Sequence, residues 1–208
     1  MAFYTGYVLL PTNTYLAWKN AVAGNGYDAD GFHGDQCWDL CAEFWYNVGF
    51  PTGYPLTGPN HSAYECWTVN NTNNISYGGT QYFDLVYDLV NVKQGDVVVF
   101  NKNADNSAGH IGFADEDYNI NKNGYIAILG QNQGSGGIPI PVANPAGGTT
   151  ANVKDLYAQV DFLGAFRFKA WHQHHDINTY INKKRFPWVL YANKLRSKNT
   201  RTSRGYMV

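Results

Sequence analysis

Cys37, Leu40, Cys41, Phe44, Trp45 and Val48 recur at spacings of three and four residues. That period places all six on one side of a helix. Gly49 and Pro51 end the pattern. So apolar a stripe needs a broad partner, and the chain downstream supplies short apolar strands. Gln94-Gly95-Asp96 is a turn before Val97-Val98-Val99-Phe100; 110–114 alternates as a second strand, 125–129 reads as a third and 162–168 as a fourth. Helices followed by an antiparallel sheet make the chain α+β. Upstream, Tyr15, Leu16, Trp18, Ala21 and Val22 form the apolar face of a shorter helix, stopped by Gly24-Asn25-Gly26. Residues 51–80, rich in Pro, Asn, Gly and Thr, read as a long irregular binding wall around one short helix near 63–69. The glycines at 134–137 read as a flexible loop.

A length of 208 residues suits one domain with an appended tail. The formal charge of −1 conceals an asymmetry: residues 1–170 carry 7 Lys/Arg against 15 Asp/Glu, whereas 171–208 carry 8 against one, Asp176. We therefore expect a domain over 1–170 and a basic, partly helical extension over 171–208. That extension can dock on the acidic domain or attach to a larger assembly such as a phage tail. A polyanion ranks last, wall polymer or nucleic acid. His172, His174 and His175 can bind metal adventitiously. No apolar run is long enough to cross a membrane, and the N-terminus lacks the basic patch and cleavage site of a signal peptide. Three cysteines exclude a fully paired disulfide framework. Cys41 and Cys66 read as small buried apolar residues, with a zinc site through Cys37, Cys41 and a histidine as the alternative.

Cys37 stands where that helix begins, and the first turn of a helix offers unpaired N–H groups and a partial positive charge that favour a thiolate. A histidine brought alongside would complete a nucleophile–base pair. His110, at a strand start between Gly109 and Gly112, is the best placed of the six. Those glycines would let substrate or loop backbone approach. Taken singly, such a cysteine or histidine is more often a packing residue.

Gly34-Asp35-Gln36-Cys37-Trp38-Asp39-Leu40, Gln94-Gly95-Asp96-Val97-Val98-Val99-Phe100, Gly109-His110-Ile111-Gly112 and Ile128-Leu129-Gly130-Gln131-Asn132 occur in an order that resembles the CHAP family. These are the cysteine, histidine-dependent amidohydrolases/peptidases of phage lysins and bacterial wall hydrolases. The likeness covers roughly residues 15–170. It implies a papain-like α+β fold and hydrolysis of peptidoglycan amide bonds, with Cys37 as nucleophile and His110 as general base. It further implies that Gln36 helps hold the oxyanion and that Asn132 orients the imidazole. Many relatives carry glutamate, the usual third catalytic residue, where this chain has Gly130. Either Asn132 does that work alone, or activity is reduced.

Counted from Asp28 as position 1, Asp30 is 3, Phe32 is 5, Gly34 is 7 and Asp39 is 12, the ligand spacing of an EF-hand-type loop with backbone carbonyls at 5 and 7. His33 replaces the EF-hand glycine at position 6, and position 12 is Asp rather than Glu. The loop is therefore not an EF-hand. It resembles phage CHAP domains that hold a structural calcium ion (Ca2+) just upstream of the cysteine. The alternative is an Asx turn with Gly31 at positive φ.

These readings lead to a thiol hydrolase of bacterial peptidoglycan, either an N-acetylmuramoyl-L-alanine amidase or a peptide-bridge endopeptidase. It would serve a phage as a holin-released endolysin or a virion-associated lysin. A structural or wall-binding protein on a retired CHAP scaffold is the rival, favoured by Gly130. A thiol protease acting on protein would share the chemistry.

Overall fold

The computed structural model describes residues 2–77, 82–104, 106–133 and 150–172. The expectations for the 134–137 loop and for a helical tail fall outside them. The chain divides into two compact units, Met1–Gln173 and His174–Val208, and only the first lies among the described residues.

Two short parallel strands, β1 (Phe3–Thr5) and β2 (Gly26–Asp28), flank helix α1 (Tyr15–Val22). Thr14 caps α1, its hydroxyl oxygen accepting the Ala17 N–H at 3.0 Å. Tyr15, Trp18 and Val22 are buried, as an i, i+3, i+7 stripe requires. Leu16, expected on the same face, is 64% exposed because it lies a quarter-turn away. Helix α2 (Cys37–Asn47) carries the main stripe, with Leu40, Cys41, Phe44 and Trp45 fully buried.

Six strands follow, β3 (Phe83–Val86), β4 (Val97–Phe100), β5 (His110–Ala114), β6 (Tyr125–Gly130), β7 (Asn152–Tyr157) and β8 (Phe162–Phe168). They form one antiparallel sheet in the order β3-β8-β4-β5-β6-β7. The fold is α+β. Four of these strands were legible in the sequence. β3 and β7 were not: β3 is only four residues long, β7 mixes Asn152, Lys154 and Asp155 with its apolar residues, and their pairing is supplied by β8 and β6.

Helix α2 packs on the sheet through aromatic side chains. The Phe44 ring meets Phe113 edge-on at 5.2 Å, and Trp45 stacks on Phe83 at 4.6 Å. The alternate residues of the strands build a second core on the opposite face, with Val98, Phe100, Ile126, Ile128 and Leu156. Trp171 belongs to the first core: it packs on Phe44 at 4.7 Å, and its Nε1–H donates to the Thr12 carbonyl at 2.9 Å. Helix α5 (Lys169–His172) therefore crosses the point where the basic composition begins. His172 Nε2 lies 3.4 Å from Asp96 Oδ1, on a carboxylate already paired with Arg167.

The stretch expected to be irregular holds two short helices rather than one, α3 (Glu65–Thr68) and α4 (Asn71–Ile75). Asn74 ties them together. It is fully buried, and its Nδ2 donates to the carbonyls of Leu56 and Cys66, both at 3.0 Å. Sequence periodicity cannot register a helix held by one buried amide. Among the described residues no helix is long and apolar enough to cross a membrane.

Candidate active site

Cys37 is the first residue of α2, and Gln36 is its N-cap in extended conformation. The start of the helix is fixed from both sides. Asp39 accepts the Gln36 N–H on Oδ2 at 2.8 Å and the Ala29 N–H on Oδ1 at 2.9 Å, which staples the preceding loop to the first turn. Gln131, fully buried, accepts the Tyr27 N–H at 3.0 Å and donates to the carbonyls of Tyr27 (2.8 Å) and Gln36 (3.1 Å). One side chain just beyond β6 thus locks β2 and the cap of α2 to the sheet. Its position in the sequence gave no hint of this, since a buried glutamine is recognised only by its partners.

The Cys37 thiol lies within hydrogen-bonding reach of the backbone of Ile111, one residue after His110. The structure therefore brings the helix tip and the start of β5 together. Cys37 is partly exposed as a residue, yet enough protein surrounds its sulfur for desolvation to push the thiol up to about 11. His110 is buried, and desolvation pushes its imidazole down to about 4. Each group by itself thus favours its neutral form at neutral pH.

The pairing of Phe113 with Leu129 and of Ala114 with Ile128 runs antiparallel toward the end of β6, so the residues after Gly130 come to lie alongside His110. Gly130 leaves a gap there, since a Cβ on it would lie 3.3 Å from His110 Nε2 and 3.2 Å from Gln133 Oε1. Gln133 fills the gap, and its Oε1 lies 3.3 Å from His110 Nε2. The resemblance implies that Asn132 orients the imidazole. The structure puts Gln133 at Nε2 and shows Asn132 Nδ2 donating to Gln36 Oε1 at 2.7 Å. Gln36 in turn donates from Nε2 to the His33 carbonyl at 2.7 Å. The glycines flanking His110 serve the chain's own packing. A Cβ on Gly109 (φ +69°) would meet the Phe100 carbonyl oxygen at 2.6 Å, and one on Gly112 would meet Ile128 at 2.6 Å.

Carboxylate oxygens of Asp28, Asp30 and Asp39 lie within 4.8 Å of one another. Asp28 Oδ1 is buried with no hydrogen-bond partner among the described residues. Burial, and then the neighbouring Asp30 and Asp28 charges, push Asp39 up to about 8 against the pull of its backbone hydrogen bonds. The expected Asx turn is also present: the Phe32 N–H donates to Asp30 Oδ1 at 2.8 Å, and Gly31 has φ +77°. The Asx turn and the three clustered carboxylates therefore occur in one loop conformation. Gly34 (φ +64°) and His33 (φ +65°) curl the chain back toward the helix.

A cavity of about 610 Å³ opens beside this loop. Phe32, Gln36 and Trp38 line one side of it, and Gly53, Thr57 and His61 from the 51–80 stretch line the other. The Trp38 indole N–H donates to the Pro55 carbonyl at 2.8 Å and so holds the two walls at a fixed distance.

The described residues thus bring a helix-tip thiol against the strand that opens with a buried imidazole, and set Asp30 and Asp39 on the wall of a cleft. The chain is 34% identical over 128 residues to the D-alanyl-L-alanine endopeptidase of Streptococcus phage B30, an alignment covering 58% of this chain and 25% of the relative. Its fold is similar to that of the endolysin LysIME-EF1, with a TM-score of 0.52 and 21% identity over 76% of this chain and 64% of that one. The chain resembles a phage endopeptidase in sequence and an endolysin in fold. It spans about a quarter of the length of the endopeptidase. No family model matches it.

Proposed function

We propose that this chain is a CHAP-type thiol hydrolase that cuts an amide bond of bacterial peptidoglycan. The observation that carries the reading is the Cys37 thiol at the first position of α2, against the strand that begins with His110. In this scheme His110 takes the thiol proton as Sγ attacks the substrate carbonyl carbon. The oxyanion develops beside the unpaired N–H groups of the first turn of α2, with Gln36 next to them. His110 then passes its proton to the leaving amine, and water hydrolyses the thioester. The name of the B30 relative favours the peptide bond between D-alanine and L-alanine, as cut by an endopeptidase, over the bond cut by an amidase. Endolysin release to the wall and attachment to a virion through 171–208 are both compatible with this chemistry.

Mass spectrometry of fragments released from purified peptidoglycan tests the proposal, with Cys37→Ala as the blank. New L-alanine amino termini paired with D-alanine carboxyl termini are expected. Peptides freed at the lactyl group would instead identify an amidase. No fragments from the unsubstituted chain would end the hydrolase reading. The retired scaffold remains the second reading, because burial favours neutral thiol and neutral imidazole over the reactive ion pair.

A calcium ion at the Asp28, Asp30 and Asp39 carboxylates, with the backbone carbonyls of Phe32 and Gly34, belongs to the same proposal. The orphaned Asp28 Oδ1, and the burial and neighbouring Asp30 and Asp28 charges that lift Asp39, are what a divalent cation would relieve. Such an ion would fix the loop that leads into Cys37. Calcium at ten times its Kd is expected to stabilise the fold by about 1.4 kcal/mol. That corresponds to a rise in Tm of about 3–6 °C, reversed by chelator and lost in Asp30→Asn. A melting temperature indifferent to both reagents removes the ion.

A further inference from the structure

We infer that Gln133 is the positioning residue for His110, holding the imidazole proton on Nε2 so that Nδ1 carries the lone pair that accepts the thiol proton. The inference rests on the thiol-hydrolase reading for its catalytic consequence, but not for its geometry.

A glutamine can present either end of its carboxamide, and here the surroundings choose. Gln133 is 3% exposed. Three carbonyl oxygens converge on its Nε2: Asn152 at 2.6 Å, Ile128 at 3.1 Å and Gly130 at 3.2 Å. Turning the amide over would set Oε1 against all three, with no proton between any pair of oxygens. Oε1 is therefore the atom that faces His110, and an acceptor at 3.3 Å requires a proton on Nε2. In neutral imidazole the second nitrogen is then the base.

The device is rigid because its anchor is backbone. Two of the three carbonyls belong to β6 and one to the first residue of β7, and these strands pair along their whole length. The bare Cα of Gly130 gives the carboxamide its room, since a Cβ there would lie 3.1 Å from Gln133 Cδ. A neutral acceptor also suits a buried ring. It selects the tautomer without adding a charge that would keep the imidazole protonated and so unable to serve as a base.

Two variants separate positioning from packing. Gln133→Leu and Gln133→Glu both forfeit the N–H bonds to the three carbonyls, so both lose stability. The glutamate variant alone keeps an oxygen for Nε2. Nitrogen-15 spectra of the histidine rings, with His110 assigned by the signal missing in His110→Ala, are expected to show the proton on Nε2 in the unsubstituted chain. Mixed tautomers are expected in Gln133→Leu. In Gln133→Glu the proton should stay on Nε2, with the ring titrating at least one pH unit higher. On peptidoglycan, kcat should fall at least tenfold in Gln133→Leu with KM changed less than threefold. A Gln133→Leu ring that keeps its proton on Nε2, or that variant turning over at the unsubstituted rate, overturns the inference. Should the unsubstituted chain cut no peptidoglycan, the proposed function fails and the ring spectra alone decide the assignment.

Discussion

Replacing Cys37 with alanine is expected to lower the rate of peptidoglycan clearing by about 10⁴-fold or more, because in the proposed scheme the acyl group is carried on its sulfur. The fold should survive. Cys37 is partly exposed at the first position of α2, and alanine is the best helix former. The cap does not involve the thiol, since Asp39 takes the Gln36 N–H. The melting temperature of the variant should therefore stay within a few degrees of the unsubstituted chain. Zymography on embedded cell walls reads the loss directly. Clearing by Cys37→Ala at the original rate would show that the thiol is not the nucleophile, and no clearing by either protein would favour the retired scaffold.

The second large effect is on stability and follows from the burial of His110. Its imidazole titrates near 6.5 in an unfolded chain and is pushed down to about 4 in the fold, desolvation outweighing the Gln133 bond. Between those values the unfolded state binds the extra proton, so stability falls as pH drops through 6.5 and goes on falling to about 4. At pH 4.5 the loss attributable to this group is about 2–3 kcal/mol. Asp39 has the opposite sign. Its carboxyl is pushed up to about 8, so the folded state holds the extra proton and the fold gains stability as pH falls. Comparing urea unfolding at pH 7 and pH 4.5 in the unsubstituted chain and in His110→Phe cancels Asp39 and isolates His110. The variant should lose about 2–3 kcal/mol less on acidification. Equal losses in the two proteins would mean that the imidazole is not held neutral in the fold.

Much of the architecture was legible because the signals are local. The stripe from Cys37 to Val48 has a helical period, and Val97-Val98-Val99-Phe100 behind a Gly-Asp turn can hardly be anything but a buried strand. The candidate pair was legible for the same reason: a cysteine opening a helix and a histidine opening a strand each carry their context within a few residues. The aspartates at 28, 30 and 39 also sit at a spacing that a single turn of loop brings together. Where local signal was weak, the reading was incomplete. β3 is too short and β7 too polar to declare a strand, α4 is held by Asn74 rather than by an apolar face, and Leu16 points away from the stripe of its helix.

What the sequence by itself determined is which chemistry is available: a thiol, an imidazole, an acidic loop and the apolar elements that must bury one another. Tertiary structure alone decided which polar groups serve that chemistry. Gln131 and Gln133 are neighbours in the chain, yet one clamps the cap of α2 and the other faces His110. Asn132 between them turns to Gln36, with φ +52°. No periodicity or motif separates three consecutive amides, because an amide has no preference of its own between donating and accepting. Their partners come from β2, the cap of α2, β5, β6 and β7, and the geometry of those groups exists only once the sheet has closed.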